Sequence, residues 1–214
     1  MEWLRYGAQH YPNRICINEY TYNDIYGGVL HVASELIHLE SSRVAILSDN
    51  SVTMAIYVLA AMLAHKEVLL LNVYLKPNEI GNQLKQLGIT TVLHSKERYN
   101  QLPSLLRTIE FEPLESILSN LNLEDTFDWN FDDADIAAIM NTSATTGQFK
   151  SVPLRWGQIR AHVQASQEVL GKTDQDNWLM VLPLFHVSGL SILMRSLYNG
   201  TAITILPKYD EAKV

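Results

Sequence analysis

The segment 139–150 reads Ile-Met-Asn-Thr-Ser-Ala-Thr-Thr-Gly-Gln-Phe-Lys. Its hydroxyl residues Thr142, Ser143, Thr145 and Thr146 fall within five positions, with Gly147 and Lys150 close behind. Such residues at the end of an apolar strand suit a polyphosphate. Small residues let backbone N–H groups approach phosphate oxygens, hydroxyls donate hydrogen bonds to them, and a lysine offsets their charge. The loop of the P-loop NTPases, G-x-x-x-x-G-K-[ST], occurs nowhere in the chain. An ordinary Ser/Thr-rich turn has the same composition, so the segment alone leaves both readings open.

A second group lies downstream, Leu182-Pro183-Leu184-Phe185-His186-Val187-Ser188-Gly189, with Arg195 inside the apolar run 192–198. A lone histidine beside apolar residues is commonly a satisfied structural group. An arginine on an apolar helix can snorkel to solvent, or it can take a carboxylate through two parallel hydrogen bonds. His10, His31, His38, His65, His94 and His162 have no comparable context and read as structural or surface groups. The single cysteine, Cys16, excludes an intramolecular disulfide and a cysteine-based zinc site, and reads as a small core hydrophobe.

The elements that must position these residues alternate along the chain. A helix is predicted over 3–11 and a strand over 14–17. Thr21 caps a helix over 21–39, in which Ile25, Val29, Val32, Leu36 and Leu39 recur at three- and four-residue steps. A strand over 43–47 ends in the turn residues 48–51, and an apolar helix covers 52–64. A strand follows over 68–71. Pro77 takes the first position of a helix that Gly88 ends as a left-handed cap, and a strand follows over 90–94. This strand–helix–strand order predicts an α/β fold, with mostly parallel sheets covered by helices. The stretch 97–133 is less regular, punctuated by Pro103 and Pro113 and increasingly acidic, and reads as a solvated excursion with a subdivision near 110–135. The pattern resumes with a strand over 136–141, a helix over 157–170, a strand over 178–182, a helix over 188–198 and a strand over 201–206. Residues 209–214 read as the start of another helix and not the end of a domain, a first hint of a fragment.

With 214 residues, 47% of them hydrophobic, the chain can bury a sizeable core. A net charge of -7, from 16 basic and 23 acidic residues, argues against nucleic acid or an anionic membrane as partner. The opening residues are not a basic stretch before an apolar run, so no signal peptide is read there. The longest apolar stretch, 56–64, is far short of the ~20 residues that cross a bilayer. A cytoplasmic protein without membrane insertion is the expectation.

The phosphate-type segment resembles the T-S-G-T-T-G-x-P-K signature of the adenylate-forming superfamily. Thr142, Ser143, Thr145, Thr146, Gly147 and Lys150 match, while Ala144 replaces a glycine and Phe149 a proline. The segment 182–189 is similar to the family stretch whose aromatic residue and histidine line the acyl pocket. The run 181–191 with Arg195, the stretch 150–154, and 42–50 and 72–78 are similar to the menaquinone branch, which activates o-succinylbenzoate.

The resemblance implies the N-terminal part of the family's large domain and a two-step reaction. A carboxylate attacks ATP to give an acyl-adenylate, and coenzyme A then displaces AMP. It implies that Thr142, Ser143, Ala144, Thr145, Thr146, Gly147 and Lys150 hold the phosphates. Catalytic roles fall to Lys150 and His186, and the acid contacts His186, Ser188, Gly189 and Arg195. ATP, Mg2+ and coenzyme A are implied, with no metal ligand in this chain and a homodimer as an open expectation. The family's adenine-, magnesium- and ribose-binding elements are not in residues 1–214, so the chain alone is expected to be inactive. Other readings are a different aryl- or fatty-acyl-CoA ligase, which Arg195 disfavours, and a non-catalytic adenylate-binding relative.

Overall fold

A computed structural model describes residues 1–104, 106–121, 124–142 and 149–207. Two sheets carry the fold among the described residues. The larger has six strands in the order β6-β5-β3-β4-β7-β8: β3 (Arg43–Leu47), β4 (Glu67–Leu70), β5 (Thr91–His94), β6 (Arg107–Glu110), β7 (Ile136–Thr142) and β8 (Lys150–Arg155). Neighbours run parallel except the β7–β8 hairpin. The carboxyl ends of β3, β4, β5 and β7 therefore share one edge, where open α/β sheets bind ligands.

Helices α2 (Tyr22–Leu36), α3 (Val52–Leu63) and α4 (Pro77–Leu87) connect these strands or precede them. The Thr21 side chain accepts from the backbone N–H of Asp24, and the Asp24 carboxylate accepts from that of Thr21. This reciprocal cap starts α2 at the predicted place. Every residue of α3 but Thr53 is buried, which explains its apolar sequence on all faces. Gly88 ends α4 with φ 65°, a left-handed conformation that costs glycine nothing.

The smaller sheet has the order β2-β1-β10-β9: β1 (Ile15–Ile17), β2 (Tyr20–Thr21), β9 (Asn177–Met180) and β10 (Ala202–Ile205). Helix α7 (Val187–Asn199) packs on β9 and β10, and α1 (Glu2–His10) and α6 (Trp156–Leu170) pack on α7. Parallel pairing of Ile17 with Ile203 joins the N-terminal segment to the last strand. Cys16 is fully buried, and burial pushes its thiol well above the ordinary range. It is a core residue.

Residues 150–155, given no element from the sequence, form β8, an edge strand that pairs with β7 from Thr142↔Lys150 to Ile136↔Arg155 and leads straight into α6 at Trp156. Pro153 is tolerated because an edge strand has one side free of ladder bonds. One expectation is corrected. The stretch 97–133 is not simply a solvated excursion. It supplies β6, paired in parallel with β5, and the helix α5 (Leu114–Ser119). It also buries Phe111, Ile117, Trp129 and Phe131 in the same hydrophobic cluster as both sheets. Tyr57 stacks on Phe111 at 4.1 Å, and Trp129 donates to Asp125 at 2.7 Å. These buried aromatics outweigh the acidic composition around them.

Candidate active site

The hydroxyl-rich segment connects the strands of the β7–β8 hairpin. Thr142 and Lys150 face each other as register partners, so the two ends of the segment are fixed at the carboxyl edge of the large sheet. Ser143, Ala144, Thr145, Thr146 and Gly147 lie outside the described residues. The stem is cross-linked by side chains. Asn141 donates to Gln83 of α4 at 2.5 Å and accepts from Ser151 of β8 at 2.7 Å. Lys150 is exposed at the start of β8. Leu154 lies four residues further along, on the same face by strand alternation and about 13 Å away.

Leu154 reaches a second feature, a groove of about 550 Å³ between α6 and α7. Gln158, Ile159 and His162 line one side from α6, and Ser188 and Arg195 line the other from α7. Apolar surface dominates, with a few polar groups among it, which is the usual make-up of a small-molecule site.

The structure thus brings Ser188 and Arg195 together. His186 stands just ahead of them as the N-cap of α7, exposed, with its ring 4.7 Å from that of Phe185. Gly189 is buried, and its hydrogen in place of a methyl lets the Pro183 carbonyl come close. A Cβ there would lie 2.2 Å from that oxygen. Asn50, in the turn after β3, holds the 182–185 segment against the large sheet. Its amide donates to the Leu182 carbonyl and accepts from the Leu184 N–H, each at 2.9 Å.

Arg195 is half-buried and has no carboxylate partner among the described residues. One terminal nitrogen donates to Ser166 of α6 at 3.3 Å, and the guanidinium carbon stands 3.8 Å from the ring centre of Trp178 on β9. Burial lowers its pKa from the ordinary arginine value. A guanidinium nevertheless stays charged in proteins, so this is a partly desolvated cation facing an apolar groove. Gln158, His162 and Trp178 were not singled out from the sequence. Gln158, His162 and Ser166 do recur at four-residue steps, the spacing of one helix face.

A mostly parallel α/β sheet, a Ser/Thr/Gly/Lys segment with both ends held at its carboxyl edge and a nearby apolar groove are features suited to a nucleotide beside a small molecule. The chain belongs to the AMP-binding enzyme family, whose model matches residues 4–214. Over 213 residues it is 45% identical to a 2-succinylbenzoate–CoA ligase from Lactococcus lactis, covering 99% of this chain and 46% of that protein. A protein of the same name from Staphylococcus aureus is 32% identical over 240 residues, covering 99% of this chain and 48% of that one. The chain spans about half the length of these curated relatives. Among solved structures, it is similar to the O-succinylbenzoate coenzyme A synthetase of Bacillus subtilis in complex with AMP. There the TM-score is 0.85 at 28% identity, covering 99% of this chain and 57% of that one. The same B. subtilis protein in complex with ATP and magnesium ion gives a TM-score of 0.84 at 27% identity, covering 99% and 58%.

Proposed function

We propose that the protein carrying this chain activates o-succinylbenzoate with ATP and transfers the acyl group to coenzyme A, in the cytoplasm, as a step of menaquinone biosynthesis. The observation that carries this reading is Arg195, a desolvated cation without an acidic partner beside an apolar groove. A fatty acid would leave it uncompensated, whereas an aromatic acid with a second carboxylate on its ring would pair it. The names of the similar ligases point to that acid.

In the first step an oxygen of the succinyl carboxylate attacks the α-phosphorus of ATP, and pyrophosphate leaves. In the second, the thiolate of coenzyme A attacks the acyl carbon, and AMP leaves. Positioning and charge neutralisation do most of the work in such chemistry. Thr142, Ser143, Ala144, Thr145, Thr146 and Gly147 are assigned to the β- and γ-phosphates. Lys150, held at the hairpin stem, is assigned to the charge on departing pyrophosphate. The fit rests on the stem, which brings both ends of the segment into register. Magnesium enters with ATP, and no residue of 1–214 is assigned as its ligand. His186, Ser188 and Gly189 are assigned to the acid's side of the site, Gly189 through the close approach it allows.

The test is ATP–pyrophosphate exchange by the full-length enzyme across a panel of acids. Exchange is expected to depend on o-succinylbenzoate and to exceed that with benzoate or a fatty acid by at least about tenfold. Lys150→Ala is expected to slow exchange about 10²-fold with an unchanged melting temperature, since removing one charge-stabilising group typically has that effect. Equal exchange with every acid would overturn the substrate assignment. Unchanged exchange in Lys150→Ala would overturn the phosphate role.

A further inference from the structure

Arg195 is held by three elements at once. Its own helix α7 carries it, Ser166 of α6 accepts from it at 3.3 Å, and Trp178 of β9 presents an indole face 3.8 Å from its guanidinium carbon. Two donors of this stack, Arg195 Nε and Trp178 Nε1, are closed off from solvent and have no acceptor among the described residues. A long side chain with several rotatable bonds does not hold one plane by itself. Recognition of a carboxylate by two parallel hydrogen bonds requires the plane to be fixed before the ligand arrives.

We propose that Trp178 is a specificity-determining positioning residue, whose indole face fixes the Arg195 guanidinium so that its fork meets the second carboxylate of an acid bound in the α6–α7 groove. This rests on the reading of Arg195 given above. An aromatic ring attracts a cation across its face, most strongly where water is excluded, and an aliphatic side chain does not. Trp178 therefore acts through Arg195, without touching the reacting atoms. Its removal affects acids that carry the second carboxylate and spares those that lack it.

The experiment compares kcat/KM for o-succinylbenzoate and for 4-oxo-4-phenylbutanoate, the same acid without its ring carboxylate, in the full-length enzyme. The variants are Trp178→Leu, Trp178→Met, Trp178→Phe, Arg195→Leu and the Trp178→Leu/Arg195→Leu pair. The leucine and methionine variants are expected to lower the diacid-to-monoacid ratio about 3- to 30-fold, through the KM of the diacid with little change in kcat. Trp178→Phe, which keeps an aromatic face, should restore most of the ratio. In the Arg195→Leu background, Trp178→Leu should change the ratio no further, because both substitutions remove one interaction. The methionine variant keeps the test decisive if the leucine variant folds poorly. A selective loss in Arg195→Leu with an equal loss for both acids in the Trp178 variants would overturn this inference alone. An equal loss for both acids in Arg195→Leu itself would overturn the underlying substrate reading, and this inference with it.

Discussion

Gly189 and Arg195 sit within two turns of one helix, and the sequence disclosed their importance unequally. A Cβ on Gly189 would lie 2.2 Å from the Pro183 carbonyl oxygen and 2.7 Å from that of Leu182. The first turn of α7 is seated directly on that backbone, and this seat presents Ser188 to the groove. Gly189→Ala forces the helix off it, at an expected cost of about 1–3 kcal/mol. Thermal unfolding measures this, and an unchanged melting temperature would show that the seat yields freely. The sequence marked Gly189 and His186 through their motif and Arg195 through its misfit in an apolar helix. Trp178 stayed hidden, because a tryptophan in a strand looks like core until its indole is seen against the guanidinium. Gln158 and His162 were hidden by their chemistry, since polar residues four apart on a helix usually face solvent.

At the scale of elements, local rules worked wherever the determinants were local. Thr21 capped α2, Pro77 opened α4, Gly88 closed it, and β3 began and ended at the residues its apolar run marks. β8 escaped because Lys150, Ser151 and Pro153 carry little strand propensity, and it exists through pairing with β7. β6 escaped within an acidic context. Its strand character comes from its place beside β5 and not from its own composition. The link between the two sheets is equally non-local. Asn50 reaches across 132 residues to the Leu182 carbonyl and across 134 to the Leu184 N–H. Asn50→Ala leaves both backbone groups without their partner, one of them buried, at an expected cost of about 1–3 kcal/mol. Hydrogen exchange at the Leu184 amide should then quicken markedly. Unchanged protection there would mean that another element holds the 182–185 segment.

Over the whole molecule, the alternation of periodicities gave the α/β class correctly but not the closure of the chain upon itself. Asn18 accepts from the Ile205 N–H across 187 residues, and β1 completes a sheet begun at the far end of the described chain. No window of sequence contains that information. Closure matters to function because it anchors α7 between the N-terminal segment and α6, with Arg195 on the groove side. The hydroxyl-rich segment and the groove are then joined by one strand, β8, which carries Lys150 at its start and Leu154 in the groove wall.

Arg195 as the reader of a second carboxylate is the central claim. The measurement is the ratio of kcat/KM for o-succinylbenzoate to that for 4-oxo-4-phenylbutanoate, in the full-length wild type and in Arg195→Leu. Leucine keeps apolar bulk on α7 while removing the charge. Breaking one side of a desolvated charged pair costs ~2–5 kcal/mol, so the diacid should lose roughly 30- to 5,000-fold in kcat/KM, with the monoacid nearly unaffected. An equal loss for both acids would make Arg195 a structural residue, and no loss for either would remove it from the site; each result contradicts the account.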